Sequence, residues 1–552
     1  MNKLAKKTAT LAVAATVLAS LLTGCGSSKS SSSSSSSDVK VSGAAMKNYK
    51  AGEQFKATKK ITIPILFNDN PAYPYKKDWE FWTDLTEKTN VTLKPTVVPM
   101  SDYSQKRSLL ISSGNAPDII AKTYPGEETP FVSSGAILPV SDYVKYMPNF
   151  EQKVKEWNLE PELDTLRQAD GKYYVLPGIH QAYWPDYTLA VRVDIFKKNN
   201  IPLPKTWAEL ETDLEKLKKI YPNSIPFSDR FNTNTGNSTL NIAAPTFGTQ
   251  AGWGLGDGLQ FDKDSGKFVF APATDNYKNL ISYFHDLVAK GLMDKESFTQ
   301  SDDQAVQKFE TGKSFVIATN AQTTQQYITD MDKTLGKGKF EVAKITVPGG
   351  PKGDVVAGSR LENGIMITAN AKKNPNFIAE LQFIDWLLYS DAGEEFAKWG
   401  VEGKTFTKDA NGKRTLEPDV TFGGAGLNPS GTKDLRTDLG FSQGNYAYGG
   451  STELLQSMMS GPELQFQKDM ESKTLLPPNP PHPYTQAQSE QQTLKQTPLT
   501  DYVQQSTLQF ITGQRPLSDW DQYVNELKSK GMDQYVQTAN DAYQAYLKTQ
   551  KK

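Results

Sequence analysis

The chain has a single cysteine, Cys25, in 552 residues. One thiol excludes an internal disulfide, so stability has to come from a buried core, and a chain this long is well past the size at which folds divide into domains. Histidine is nearly as scarce. His180, His285 and His482 lie far apart without HExxH spacing, which argues against a Cys/His metal cluster. Excess charge is missing as well: 61 Lys and Arg stand against 62 Asp and Glu, for a net charge of −1. A nucleic-acid surface needs a surplus of basic residues, so that partner is excluded. There is no GxxxxGKS or GxxxxGKT run to cradle phosphate and no GxSxG nucleophile elbow. GWGLGDG at residues 252–258 resembles GxGxxG only loosely and reads as a flexible loop rather than a dinucleotide site. FDKDSGKF and TKDANGKRT hold fragments of a calcium loop but lack its distal glutamate, and read as hairpin turns. No metal and no cofactor is expected.

Long apolar runs are confined to the amino terminus. Lys3, Lys6 and Lys7 precede an apolar stretch, Thr8 to Leu22, that is shorter than the ~20 residues of a membrane-spanning helix, so it reads as an export signal. Leu22-Thr23-Gly24-Cys25 resembles the bacterial lipobox, in which cleavage precedes a cysteine that carries diacylglycerol. Two acyl chains suffice for stable anchoring. The serine run that follows has no apolar face to bury and reads as a flexible tether. The expected location is the extracellular face of the cell membrane.

Further along, ITIPILFNDNPAY, VTLKPTVVP and SGNAPDII read as strands separated by helices near residues 77–88 and 103–112, which implies a parallel α/β sheet. Ligands of such sheets bind beyond the carboxyl ends of the strands, selecting the loops after Phe67 and Ile120. Thr206 and Glu209 make a capping box for a helix, WAELETDLEKLKKI. Residues 224–258 carry little periodicity. Then follow a hairpin (LQFDKDSGKFVF), helices over 275–290 and 301–311, the strands SFVIATN and GIMITA, one long helix up to Trp399, a Gly-, Pro- and Asn-rich region to Pro483, and two final helices. Aromatic residues make up 11% of the chain, many of them beside turn formers, where they are available to a ligand.

Seven segments in order, SSGNAPDII, DGKYYVLPG, IPLPKTWAELETDLEKLKK, LISYFHDLVAKGLMDKESF, QKFETGKSFVIA, NPNFIAELQFIDWLLYSDAGEEFAKWGVEGKTFT and FITGQRPLSDWDQYVNELKSKGMDQYVQTANDAY, resemble the family 1 extracellular solute-binding lipoproteins of carbohydrate ABC transporters in Gram-positive bacteria. The resemblance implies an α/β, periplasmic-binding-protein-like fold of two lobes with several hinge crossings and a ligand cleft between them. It divides the chain into a signal peptide (1–24), a lipidated cysteine with its tether (25–59), a first lobe (60–178 and 360–399) and a second lobe (179–359 and 400–552). It implies a saccharide or oligosaccharide ligand, ABC permease subunits as partners, a membrane anchor through Cys25, and a monomer. Carried over by position, the ligand contacts are Asn68 and Asp69, Lys122 and Tyr124, Gln181, Tyr183 and Trp184 at the lobe crossing, and Trp253 on the second lobe. Asp118 is expected to cap a strand end. Some relatives hold calcium where this chain has IYPNSIPFSDR, a departure that leaves no calcium loop to expect. Mixed amide, carboxylate and flat aromatic side chains suit a sugar, whose hydroxyls want polar partners and whose C–H faces want rings.

Two other classes remain open. A surface glycoside hydrolase or lyase needs only two carboxylates set across a sugar, although most acidic residues here sit in helix first turns or among lysines, as on a solvated face. A surface sensor or adhesin would bind a wall component without handing it on.

Overall fold

The computed structural model describes residues 43–229 and 238–550; the export signal, Cys25 and the serine run lie outside them. Strands relevant to the site are, in chain order, β1 (Ile61–Asp69), β2 (Val91–Pro99), β3 (Ile119–Thr123), β4 (Leu176–Ile179), β5 (Thr188–Arg192), β6 (Leu259–Asp262), β7 (Lys267–Phe270), β8 (Val316–Thr319), β9 (Val342–Lys344), β10 (Val355–Val356) and β11 (Leu361–Ile367). Ile61, Ile63, Ile65, Leu66 and Phe67 are buried, and β1 runs parallel to β2 and β3. The intervening helices Glu80–Thr89 and Tyr103–Ser112 are the crossovers a parallel pair requires. The first sheet has the order β2-β1-β3-β11-β4. It is mixed rather than parallel as expected, because β11 returns from late in the chain and lies antiparallel to both neighbours.

A second, antiparallel sheet, β8-β5-β9, is packed by the helices Trp207–Ile220, Ser238–Phe247 and Asp275–Ala289. The capping box forms as read: the Glu209 amide donates to Thr206 Oγ1 at 3.1 Å and the Thr206 amide to Glu209 Oε2 at 3.2 Å. β6 and β7 form the expected hairpin. The helix Ser238–Phe247 was not legible in STLNIAAPTF, since Asn241 and the internal Pro245 break its helical signature. Three carboxyl-terminal helices, Gln486–Ile511, Trp520–Ser529 and Met532–Gln550, replace the two expected, and Leu499, Val503, Phe510 and Trp520 join the core of the second sheet.

Three boundaries move. Residues 43–59, read as tether, dock on the helix Phe377–Tyr389: Met46 exchanges two hydrogen bonds with the Gln382 amide, at 2.9 and 3.0 Å, and Phe55 meets Phe383 edge-on at 6.2 Å. That helix is buried at every position, so it needs cover on all sides. The expected long helix breaks at Ser390, whose hydroxyl caps Gly393 of a second helix, Asp391–Trp399. Residues 400–450, read with the second lobe, pack in large part on the first. Phe81 stacks on Tyr446 at 4.0 Å and contacts Phe396 and Phe441, an aromatic cluster that the sheet alone would leave open to water.

Asp385 receives the amides of Asn149 and Phe150 at 3.1 and 2.9 Å, capping the helix Pro148–Glu156. Burial pushes its carboxyl up from 3.8 to about 6. The folded state therefore holds this proton more tightly than the unfolded one, so its contribution is greatest below 3.8 and is lost as pH rises through about 6. Asp385→Asn is expected to flatten the decline of ligand-free stability across that window, read from denaturation midpoints; an unchanged slope counts against the assignment.

Candidate functional site

The carboxyl ends of β1 and β3 carry the first face. Asp69 Oδ1 accepts the Tyr75 amide at 2.8 Å, turning the loop so that Tyr75 packs on Phe67 and Trp79. Lys122 has φ of +53°, a conformation costing a non-glycine residue about 1–3 kcal/mol and held only where the surroundings over-determine it. Here the Lys122 amide donates to the Tyr448 hydroxyl at 2.9 Å, while its carbonyl accepts from Arg107 at 3.2 Å. Its ammonium consequently lies 5.2 Å from the centre of the Tyr124 ring.

Residues 442–450 run across these strand ends. The Asn445 side chain clamps the main chain of Asn68, accepting its amide at 2.8 Å and donating to its carbonyl at 2.9 Å. The Gly449 amide donates to Glu362 Oε1 at 3.0 Å and the Gly450 amide to the Ile179 carbonyl at 2.8 Å. Gly449 has φ of +52°, and a Cβ there would lie 2.3 Å from the Ile179 carbonyl oxygen. Only glycine permits this approach.

Three stretches meet beside this face and form the hinge. The His180 amide donates to the Arg360 carbonyl at 2.8 Å, the Gln181 amide to the Gly450 carbonyl at 3.2 Å, and the Tyr183 hydroxyl to the Ala357 carbonyl at 3.0 Å. His180 Nε2 lies 2.8 Å from Glu362 Oε2. Burial alone would raise the Glu362 carboxyl, but His180, Lys398 and the Gly449 amide together hold it below the usual carboxylate range. Lys398 is buried, donates to the Tyr448 carbonyl at 2.9 Å and is balanced by Glu394, which also pairs with Lys153 at 2.9 Å.

The second face lies at the carboxyl end of β8. Thr188 pairs with Thr319, so Tyr187 stands beside Asn320, whose side chain accepts the Thr323 amide and caps the helix Ala321–Thr334. Trp253, in the turn Gly252–Leu255, meets Tyr187 edge-on at 4.9 Å. Trp253 keeps 38% of its surface exposed and Tyr187 43%, values too high for core residues. Arg436 joins the faces: its guanidinium carbon is 4.9 Å from the centres of both the Tyr73 and Phe422 rings, and Nη1 donates to Gln322 Oε1 at 3.3 Å.

Of the residues expected from sequence, Lys122, Tyr124, Asp69 and Trp253 fall on these faces. Asn68 is buried beneath its clamp. Gln181 spends its carbonyl on the Thr452 amide at 3.0 Å. Tyr183 spends its hydroxyl on Ala357, with its ring against Gly358, and so ties the hinge together. Trp184 is half-buried, its ring near-parallel to that of His180 at 6.5 Å. The Asp118 carbonyl, at the start of β3, accepts the Thr368 amide. Tyr73, Tyr187, Gln322 and Arg436 were missed; for the first two, an aromatic beside a turn former was the available signal. Among the described residues no three His, Cys, Asp or Glu side chains gather as a metal site. Asp229, in IYPNSIPFSDR, accepts from the Ala318 amide and the Thr239 hydroxyl.

Residues 68–394 match the family model of the bacterial extracellular solute-binding proteins. Among curated relatives, the fructooligosaccharide ABC transporter substrate-binding protein FusA of Streptococcus pneumoniae serotype 4 (strain ATCC BAA-334 / TIGR4) is 25% identical over 571 aligned residues, covering 97% of each chain. The polygalacturonan/rhamnogalacturonan-binding protein YtcQ of Bacillus subtilis (strain 168) is 24% identical over 384, covering 67% of this chain and 72% of its own. Solved structures share the fold: the alginate-binding protein AlgQ2 superposes with a TM-score of 0.68 at 20% identity over 90% of this chain and all of its own. FusA of S. pneumoniae in complex with kestose superposes with a TM-score of 0.65 at 22% identity, over 89% of this chain and all of its own. With two α/β lobes joined at a hinge and a family match over more than half its length, the chain belongs to the bacterial extracellular solute-binding proteins.

Proposed function

We propose that this chain captures a saccharide or oligosaccharide outside the cell and delivers it to the permease of an ABC transporter, acting as a monomer without a catalytic step. The observation that carries the reading is the pair Tyr187 and Trp253, two half-exposed rings in contact at the carboxyl end of β8. Rings left open to water at strand ends suit the C–H face of a sugar, with Gln322, Asp69 and Lys122 for its hydroxyls. The transport role follows from kinship with binding proteins of that class, FusA among them.

Calorimetry against kestose, nystose, maltotriose and trigalacturonate tests capture. Trp253→Ala and Tyr187→Ala are each expected to lose about 1.5–3 kcal/mol of binding, roughly ten- to a hundredfold in affinity. Ligand-free unfolding should shift little, because both rings are already partly in water. A large loss of stability with unaltered affinity would remove these residues from the site. Release of reducing ends on incubation with the same sugars would favour the hydrolase reading instead.

Membrane attachment through diacylglycerol on Cys25 belongs to the same proposal and rests on LLTGC and the serine run. Cys25→Ser is expected to move the protein from the membrane fraction to the medium or leave the precursor uncleaved; normal processing with unchanged membrane association would exclude a lipid anchor.

A further inference from the structure

Two cations beside the first face, Lys122 and Arg436, form no direct ion pair with a carboxylate among the described residues. Lys122 Nζ makes no ion pair and no hydrogen bond among the described residues; its neighbour is the Tyr124 ring. Arg436 is half-buried between Tyr73 and Phe422; among the described residues its Nε is sealed from water without a partner, and its one side-chain hydrogen bond goes to a neutral amide, Gln322. Asp434 steadies the Arg436 guanidinium through space but spends its oxygens on main-chain amides, and the other acids nearby have partners of their own. Asp434 accepts the amides of Gly423, Arg436 and Thr437 at 2.8–2.9 Å, Asp69 accepts the amide of Tyr75, and Asp438 pairs with Lys76 at 2.9 Å. Other buried cations among the described residues do have their counter-ion: Lys153 and Lys398 meet Glu394, Lys344 meets Glu463, and Arg192 meets Asp194. A cation partly withdrawn from water, as Arg436 is, and not fully paired is costly, and a fold retains it where something else supplies the charge.

Lys122 and Tyr73 border one gap. Gly444 has no side chain there, and a Cβ at that position would lie 3.2 Å from the Tyr73 hydroxyl and 3.6 Å from Lys122 Nζ. Hydroxyl and ammonium thus flank the space that glycine leaves open, and Tyr73 is also the ring against which the Arg436 guanidinium lies. Burial pushes the Arg436 guanidinium down from its ordinary range, which an incoming anion would reverse. A guanidinium held between two rings is pre-oriented, and with Nε sealed and Nη1 on Gln322 its Nη2 is left to donate to an anion.

Resting on the reading of the cleft as a saccharide site, we infer that the saccharide is acidic, with the carboxylate of a uronic acid unit received by Lys122, Arg436 and the Tyr73 hydroxyl beside Gly444.

The test compares short uronate oligosaccharides, trigalacturonate and trimannuronate, with their methyl esters, which keep the rings and remove the charge, and with neutral kestose and maltotriose, by calorimetry on the whole mature chain. At least one free acid should bind ten times or more tighter than its ester, with affinity falling as salt is raised. Lys122→Met and Arg436→Met should each collapse that acid-to-ester ratio toward one, with ligand-free unfolding recorded for both. If Arg436→Met unfolds, Lys122→Met alone decides, since its ammonium holds nothing else in place. Tighter binding of kestose or maltotriose than of either acid, or an acid-to-ester ratio that survives Lys122→Met, overturns the acidic ligand and leaves saccharide capture standing. Binding of none of these probes overturns both.

Discussion

Glu394→Gln is expected to cost about 3–5 kcal/mol, the range seen when one member of a buried ion pair is removed and the other stays charged. Glu394 is 1% exposed and pairs with Lys153 at 2.9 Å, and it is also the nearest compensation for Lys398. The effect should reach the cleft. Lys398 holds the Tyr448 carbonyl and the Tyr448 hydroxyl holds the strained amide of Lys122, so ligand affinity should fall along with stability. Urea denaturation together with calorimetry checks both; a loss below about 1 kcal/mol would mean that water already reaches these charges.

Phe81→Ala is expected to cost about 3–5 kcal/mol through lost burial and the cavity left behind. Phe81 has no exposed surface, stacks on Tyr446 at 4.0 Å with planes 6° apart, and touches Phe396, Phe441 and Trp82. Because Tyr446 is next to Asn445, the clamp on Asn68, this variant should also loosen residues 442–450. Hydrogen exchange at the Gly449 and Gly450 amides reads that directly. Protection unchanged there, despite lower stability, would show that the segment is held by Glu362 and Ile179 alone.

What could be read from the sequence and what could not divide along physical lines. Local signals survived: the capping box at Thr206 and Glu209, the hairpin of β6 and β7, and the alternation that gives β1, β2 and β3 their parallel pairing. Each is settled by residues a few positions apart. The exposure of Trp253 was legible because a large ring among glycines has little to pack on. Long-range relations were hidden. The antiparallel return of β11 depends on a partner chosen across the whole first half of the chain, and nothing in residues 400–450 announces that they belong beside Phe81. Arg436 is the clearest case: its neighbours Tyr73, Phe422 and Gln322 come from three separate regions, so neither composition nor spacing marks it. The hinge bond of Tyr183 was hidden for the opposite reason, since an aromatic at a lobe crossing serves a ligand or the hinge equally well in sequence.

The order of strands in the first sheet bears on how the protein is made. β11 lies between β3 and β4, and the Asn68 clamp comes from a residue 377 positions later. As the chain leaves the ribosome, β1 to β4 emerge long before the strand that sits between β3 and β4, and this sheet has no complete arrangement to fall into until most of the polypeptide has been synthesised. Contacts of such high sequence separation form slowly, because a large loop must close before any of them is rewarded. A nascent chain built this way cannot close its first sheet until Ile367, the end of β11, has emerged. Premature collapse of that sheet is thus opposed by topology.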